Sequence, residues 1–139
     1  SHVEKLEEEF ECQAKYFHWY DAEPIFYRKF MSRTKDLDFR DLEKVFREEP
    51  ICIKNCYNFK LKSVATAMYN HGMIETCWDS DSECSDGRLA MILAGELYTK
   101  YVNNSNMIES DKTMKDIIKY NLIDVKVLYE ILYYLRENH

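Results

Sequence analysis

Apolar residues recur at helical spacing from the start of the chain. In VEKLEEEFECQ, residues 3–13, Val3, Leu6 and Phe10 stand three and four apart among charges, which predicts an amphipathic helix. The aromatic run AKYFHWY at 14–20 predicts a short buried strand feeding a helix from about Glu23 to Arg33. Pro24 suits the first turn of that helix, where its missing N–H costs nothing. Asp36 to Asp41 reads as a polar joint. In DLEKVFREE, Asp41 offers an N-cap, Leu42, Val45 and Phe46 share one helical face, and Pro50 stops the element.

After a short connection, FKLKSVATAMYNHG predicts a helix from about 59 to 70, with Gly72 in its C-terminal capping region. The polar stretch DSDSECSDG, residues 79–87, alternates Asp79, Asp81, Glu83 and Asp86. It lacks the Gly and Glu placement of a calcium loop, so a solvated loop is expected. RLAMILAGELYTKYV is apolar enough to predict a well-buried helix. NNSN interrupts it, and Ser110-Asp111 offers the cap of a final helix from about Lys112 to Glu137. On that helix Ile118, Leu122, Val125, Tyr129 and Leu132 form one stripe, the expected core face. With no repeat or linker, these elements describe one domain over residues 1–139, helix-rich with one or two strands.

Composition narrows the class. Three glycines and two prolines in 139 residues leave little turn chemistry and favour helices. A net charge of −6 argues against binding nucleic acid by charge alone. It is compatible with a site whose carboxylates hold divalent cations. The five cysteines (Cys12, Cys52, Cys56, Cys77 and Cys84) are odd in number, and no segment reads as a signal peptide. Reduced thiols in a cytosolic or nuclear compartment are the expectation. Cys52 and Cys56 have loose zinc spacing without a second pair. No apolar run reaches the roughly 18 residues that span a bilayer, so a soluble protein is expected.

The candidate chemistry sits on the last helix. Tyr120 and Asp124 are four apart, so their side chains point the same way. An Asp between Ile123 and Val125 is costly to bury unless it is paired or bound to a cation. A phenol one turn earlier can hydrogen-bond a metal-bound water. Spacing alone favours the plainer reading, Asp124 in solvent with Tyr120 in the core.

The stretch IIKYNLIDVKVLYEILYYLRE resembles the closing helix of the DEDD exonucleases of the RNase H-like fold that carry tyrosine in their third motif. The RecB-like predicted nucleases are the most similar group, through the pattern YN..DV..L. KYFHWYDAE resembles the second-motif region, an aromatic strand ending in His18-Trp19 with the acid Glu23 five residues after His18. FRDLEKVF, with Asp41, and NFKLKSVATAMYNHGM, centred on Leu61 and Lys62, resemble the two helical pieces that follow. The ordered set covers residues 15–137.

The resemblance implies an α/β domain similar to the C-terminal two-thirds of an RNase H-like exonuclease. It implies metal-dependent 3′–5′ hydrolysis of nucleic acid, DNA rather than RNA, with two Mg²⁺ or Mn²⁺ ions. Asp124, Glu23 and Asp21 are the implied metal ligands, Tyr120 the group that orients water, and His18, Lys60 and Lys62 the contacts to nucleic acid. The family's Asp-x-Glu first motif has no counterpart here, which implies a domain partial at its N-terminus, completed by a missing segment or a protein partner. Asp21-Ala22-Glu23 and Asp81-Ser82-Glu83 share the spacing. The first stands only about 100 residues before Tyr120, and the second lies in a polar loop without a preceding strand. The alternative is a catalytically inactive nuclease-fold scaffold in a replication, repair or viral complex. The Lys-, Asn-, Ile- and Tyr-rich composition points to an AT-rich genome such as that of a large DNA virus.

Overall fold

The computed structural model describes residues 2–30, 36–79 and 86–139. The expected helical tail at 31–33, most of the acidic loop, Cys84 and the Asp81-Ser82-Glu83 triplet lie outside them. The chain divides into two compact units, Ser1–Met68 and Tyr69–His139. It is a helix-rich α/β chain with a small parallel sheet.

The first unit runs α1 (His2–Glu9), β1 (Lys15–His18), α2 (Ala22–Phe30), β2 (Asp38–Asp41), α3 (Leu42–Glu48) and most of α4 (Leu61–Asn70). β1 and β2 pair in parallel, with Tyr16 opposite Phe39 and His18 opposite Asp41. A parallel pair needs a crossover, and α2 supplies it. The expected polar joint at 36–41 is therefore corrected: its second half is a strand. Phe39 explains why, since the rings of Tyr16, His18 and Tyr27 surround it at 6.0, 5.7 and 5.5 Å. Phe39 anchors β2 in register although its neighbours Asp38 and Arg40 are polar.

Trp19 is buried with its ring 5.4 Å from Phe46, and its indole N–H donates to the Phe59 carbonyl at 2.8 Å. That bond joins the strand end to the segment before α4. On α3, Leu42 and Phe46 are buried as expected, but Val45 is exposed and Glu43 is buried instead. Glu43 avoids the cost of a lone buried charge by accepting two hydrogen bonds from Arg47, at 2.7 and 2.9 Å. The same contact, a hydrogen bond above all, raises the Arg47 pKa.

The second unit holds α5 (Gly87–Lys100), a 3₁₀ turn (Ser105–Ser110) and α6 (Lys112–Asn138). Gly72 at φ +69 supplies the left-handed residue after α4, its N–H donating to the Tyr69 carbonyl. Asp86 caps α5 by accepting from the Leu89 N–H, and Asp111 caps α6 by accepting from the Thr113 N–H. One core cluster is built from Ala90, Leu97 and Ile117, with Leu93, Tyr101, Met114 and Tyr120 packed against it, and Ile74, Val127 and Ile131 are buried as well.

Two expectations are corrected here. α5 is not well buried: only Ala90 and Leu97 are, while Met91, Ile92 and Tyr98 are exposed. On α6 the buried residues are Ile117, Val127 and Ile131, whereas Ile118, Leu122, Val125 and Tyr129 of the expected core stripe are exposed and Leu132 is half-buried. α6 is apolar on more than one face, so periodicity alone selects the wrong one. No helix among the described residues is long and apolar enough to cross a membrane.

Candidate functional site

Tyr120 and Asp124 stand one turn apart in the middle of α6, and both are half-buried. Tyr120 packs against the cluster of Ala90, Leu97 and Ile117. Asp124 accepts a hydrogen bond from the indole N–H of Trp78 at 2.8 Å. Trp78 is also half-buried and lies 46 residues earlier in the chain. The N–H of a rigid ring orients the carboxylate that accepts it. This is how outer hydrogen bonds aim the carboxylates that hold cations.

The segment after Gly72 is tied to the same helix. Glu130 accepts from the backbone N–H groups of Glu75 and Thr76, both at 2.9 Å, and from the Thr76 hydroxyl at 2.6 Å. Partial burial alone pushes the Glu130 carboxyl up, but these three donors outweigh it and hold the group below its ordinary range. Residues 75–78 are thus fixed along α6, and Trp78 is carried to Asp124. Lys119 adds an exposed ion pair to Asp79 at 3.3 Å.

In the first unit, the ends of the two parallel strands form a polar knot. The Asp41 carboxylate accepts from the N–H groups of Glu43 and Lys44 at 2.9 and 3.4 Å, confirming it as the cap of α3. It also accepts from the Tyr20 N–H at 3.0 Å. The Tyr20 carbonyl accepts in turn from His18 Nδ1. Both bonds require Tyr20 to turn sharply, and it does so at φ +65, a left-handed conformation uncommon for a tyrosine. The closing of β1 against β2 holds it there.

Against this knot lies a cleft of about 620 Å³ whose lining includes Lys15, Asp21, Arg28, Arg40 and Lys44. His18 is buried, while Asp21 and Glu23 are exposed at the start of α2. Lys60 and Lys62 are exposed at the start of α4, where the Lys60 carbonyl accepts from the Val64 N–H.

Asp21, Glu23, His18, Lys60 and Lys62 therefore belong to the first unit, and Tyr120 and Asp124 to the second. Among the described residues no group of three or more His, Cys, Asp or Glu side chains is gathered as a metal site. Cys12, Cys52, Cys56 and Cys77 are free thiols. Two residues outside the expected site carry the local geometry. They are Tyr20, which links both strand ends, and Trp78, which holds Asp124. Neither bond has a sequence signal, because each joins partners 21 or 46 positions apart.

Comparison of the chain with protein-family models, curated proteins and solved structures returns no match.

Proposed function

We propose that this chain forms a metal-dependent phosphodiesterase of the RNase H-like exonuclease type, acting on nucleic acid and on DNA rather than RNA. The observation that carries the proposal is the half-buried Asp124 carboxylate, aimed by Trp78 and one helical turn from Tyr120. Carboxylate oxygens are the hard donors that Mg²⁺ and Mn²⁺ take, so the donor type fits such an ion. Asp124 is the residue of the second unit to hold it; Glu23 and Asp21 are ligands that the resemblance alone implies. Bound ions of this kind supply a nucleophilic water at neutral pH and stabilise the charge on the leaving oxygen. Tyr120 orients the water through its hydroxyl. Lys60 and Lys62 meet phosphate oxygens as point charges, and His18 stands behind the strand end that precedes Glu23.

Hydrolysis of a 3′-labelled single-stranded DNA with Mn²⁺ tests the proposal. Metal-dependent release of the label is expected, reduced at least about a hundredfold in Asp124→Asn and less in Tyr120→Phe. Asn keeps an oxygen for the Trp78 N–H, so this variant removes charge while preserving the local bond. A wild-type chain that leaves DNA and RNA intact at every Mn²⁺ level overturns catalysis by this chain. The second reading is then a nuclease-fold interaction domain, favoured by the net charge of −6 and the uncovered apolar face of α6.

A further inference from the structure

A pocket of about 410 Å³ opens in the second unit between residues 73–75 and the last turns of α6. That volume lies in the range of small-ligand sites. Its lining is of two kinds. Tyr129, Tyr133 and Tyr134 supply aromatic rings, and Glu75, Glu130 and Glu137 supply carboxylates. Among the described residues no lysine, arginine or histidine lines it.

The carboxylates differ in what they already hold. Glu130 accepts from Glu75 and Thr76 and has the Lys126 ammonium at 3.8 Å, so it is occupied in fixing the wall. Glu75 and Glu137 are exposed, and their side chains make no hydrogen bond or ion pair among the described residues. These two are the carboxylates left to meet a ligand.

The rings add a separate preference. Tyr129 and Tyr133 stack at 6.3 Å with their planes 26° apart. An aromatic face carries negative charge density and attracts a cation lying over it. Rings alone would suit any flat apolar group, and carboxylates alone would suit a metal ion. A metal ion wants several such ligands gathered together, and among the described residues no group of three is. Rings and carboxylates together favour an organic cation.

Guanidinium fits that pair of preferences better than ammonium. It is planar, so it lies along a ring while the N–H groups of its edge reach a carboxylate. An ammonium is a compact, strongly hydrated point charge that gains less from the rings. Tyr129 and Tyr133 remain 65% and 56% exposed, which leaves room for the group to be carried by a larger molecule.

We propose that this pocket binds the guanidinium group of an arginine side chain presented by a protein partner. The rings of Tyr129 and Tyr133 give it faces to stack on, and Glu75 and Glu137 are its counter-charges. The site uses neither Tyr120 nor Asp124 and is independent of any hydrolytic activity.

Titration of N-acetyl-arginine amide into the isotope-labelled 139-residue chain, followed by its backbone amide resonances, tests the proposal. Saturable shifts are expected at residues 73–75 and 129–138, with a dissociation constant on the order of millimolar for one side chain. N-acetyl-citrulline amide keeps the shape and loses the charge, and should bind at least about fivefold more weakly. A capped Gly-Arg-Gly peptide should bind at least as well as the single amide, because the arginine comes on a main chain. Tyr133→Leu removes a ring and Glu137→Gln removes a charge, each at an exposed position, so circular dichroism should stay unchanged. Each should weaken binding about threefold or more. Glu8→Gln removes a like charge from exposed α1 and should change nothing. Absence of saturable shifts at residues 73–75 and 129–138 overturns the proposal. So do equal binding of the arginine and citrulline amides, wild-type affinity in both pocket variants, and a capped peptide that fails to bind. Shifts confined to α1 assign the binding to general attraction by the net charge and overturn it as well.

Discussion

Trp19 and Phe46 in the first unit and Leu122 and Tyr129 in the second are all large apolar side chains, yet the first pair is buried and the second pair is open. The first unit closes around its aromatics by bonds between distant segments. Trp19 reaches Phe59, and Tyr20 reaches Asp41. The second unit is tied in the same way where Glu130 and Asp124 hold residues 75–78 along α6, and elsewhere rests on caps and one helix hairpin, with Asp86 and Asp111 starting the two helices. The first unit also exposes Ile25 and Phe26, but these neighbours on α2 do not extend into a row. Burial in the first unit is specified by partners within the chain; the long face of α6 is not.

The largest test of this contrast is truncation of the side chains on which each unit closes. Phe46→Ala should cost about 3–5 kcal/mol in urea denaturation, because the ring is fully enclosed. Leu122→Ala should change the stability of the monomer by less than about 0.5 kcal/mol, because that side chain loses little contact. A large effect of Leu122→Ala at dilute concentration contradicts an open α6 face.

A middle-sized effect is expected at the polar knot. Asp41→Ala removes the cap of α3 and strands the Tyr20 N–H, and should cost about 1–2 kcal/mol, while Asp41→Asn keeps an acceptor and should lose less. Equal losses for both variants contradict a capping role.

The smallest effect is at the start of α6 and depends on pH. Hydrogen bonds from the Lys100 ammonium, the Tyr101 hydroxyl and the Thr113 N–H lower the Asp111 carboxyl from 3.8 to about 2. A carboxyl lowered by folding stabilises the protein above its ordinary pKa and ceases to do so as pH falls through the folded value. The difference in Tm between wild type and Asp111→Asn should therefore be constant above about pH 5 and shrink between about pH 4 and pH 2. A difference that does not change over that window contradicts the ion pair.

Local signals make much of this architecture legible. Asp41 and Asp111 are capping residues at the places where apolar periodicity begins, and both cap helices. AKYFHWY contains β1 because a short aromatic run has few other uses. β2 is not legible, since Asp38, Arg40 and Asp41 outnumber Phe39, and only pairing with β1 makes the segment a strand. The face of α6 is not legible either. Ile117, Val127 and Ile131 sit on one side and Ile118, Leu122 and Val125 on another, so the 3.6-residue period fits both. Of the candidate site, the spacing of Tyr120 and Asp124 is visible in the chain. The Trp78 bond is not, because it depends on Glu130 holding residues 75 and 76 along the helix.

The role proposed for Asp124 is to hold a cation through its carboxylate. Calorimetric titration of Mn²⁺ into the wild-type chain and into Asp124→Asn tests it most directly. Saturable binding in the micromolar to low-millimolar range is expected for the wild type and its loss in the variant, with the fold unchanged by circular dichroism. Absence of binding in the wild type, or equal binding in both chains, contradicts it.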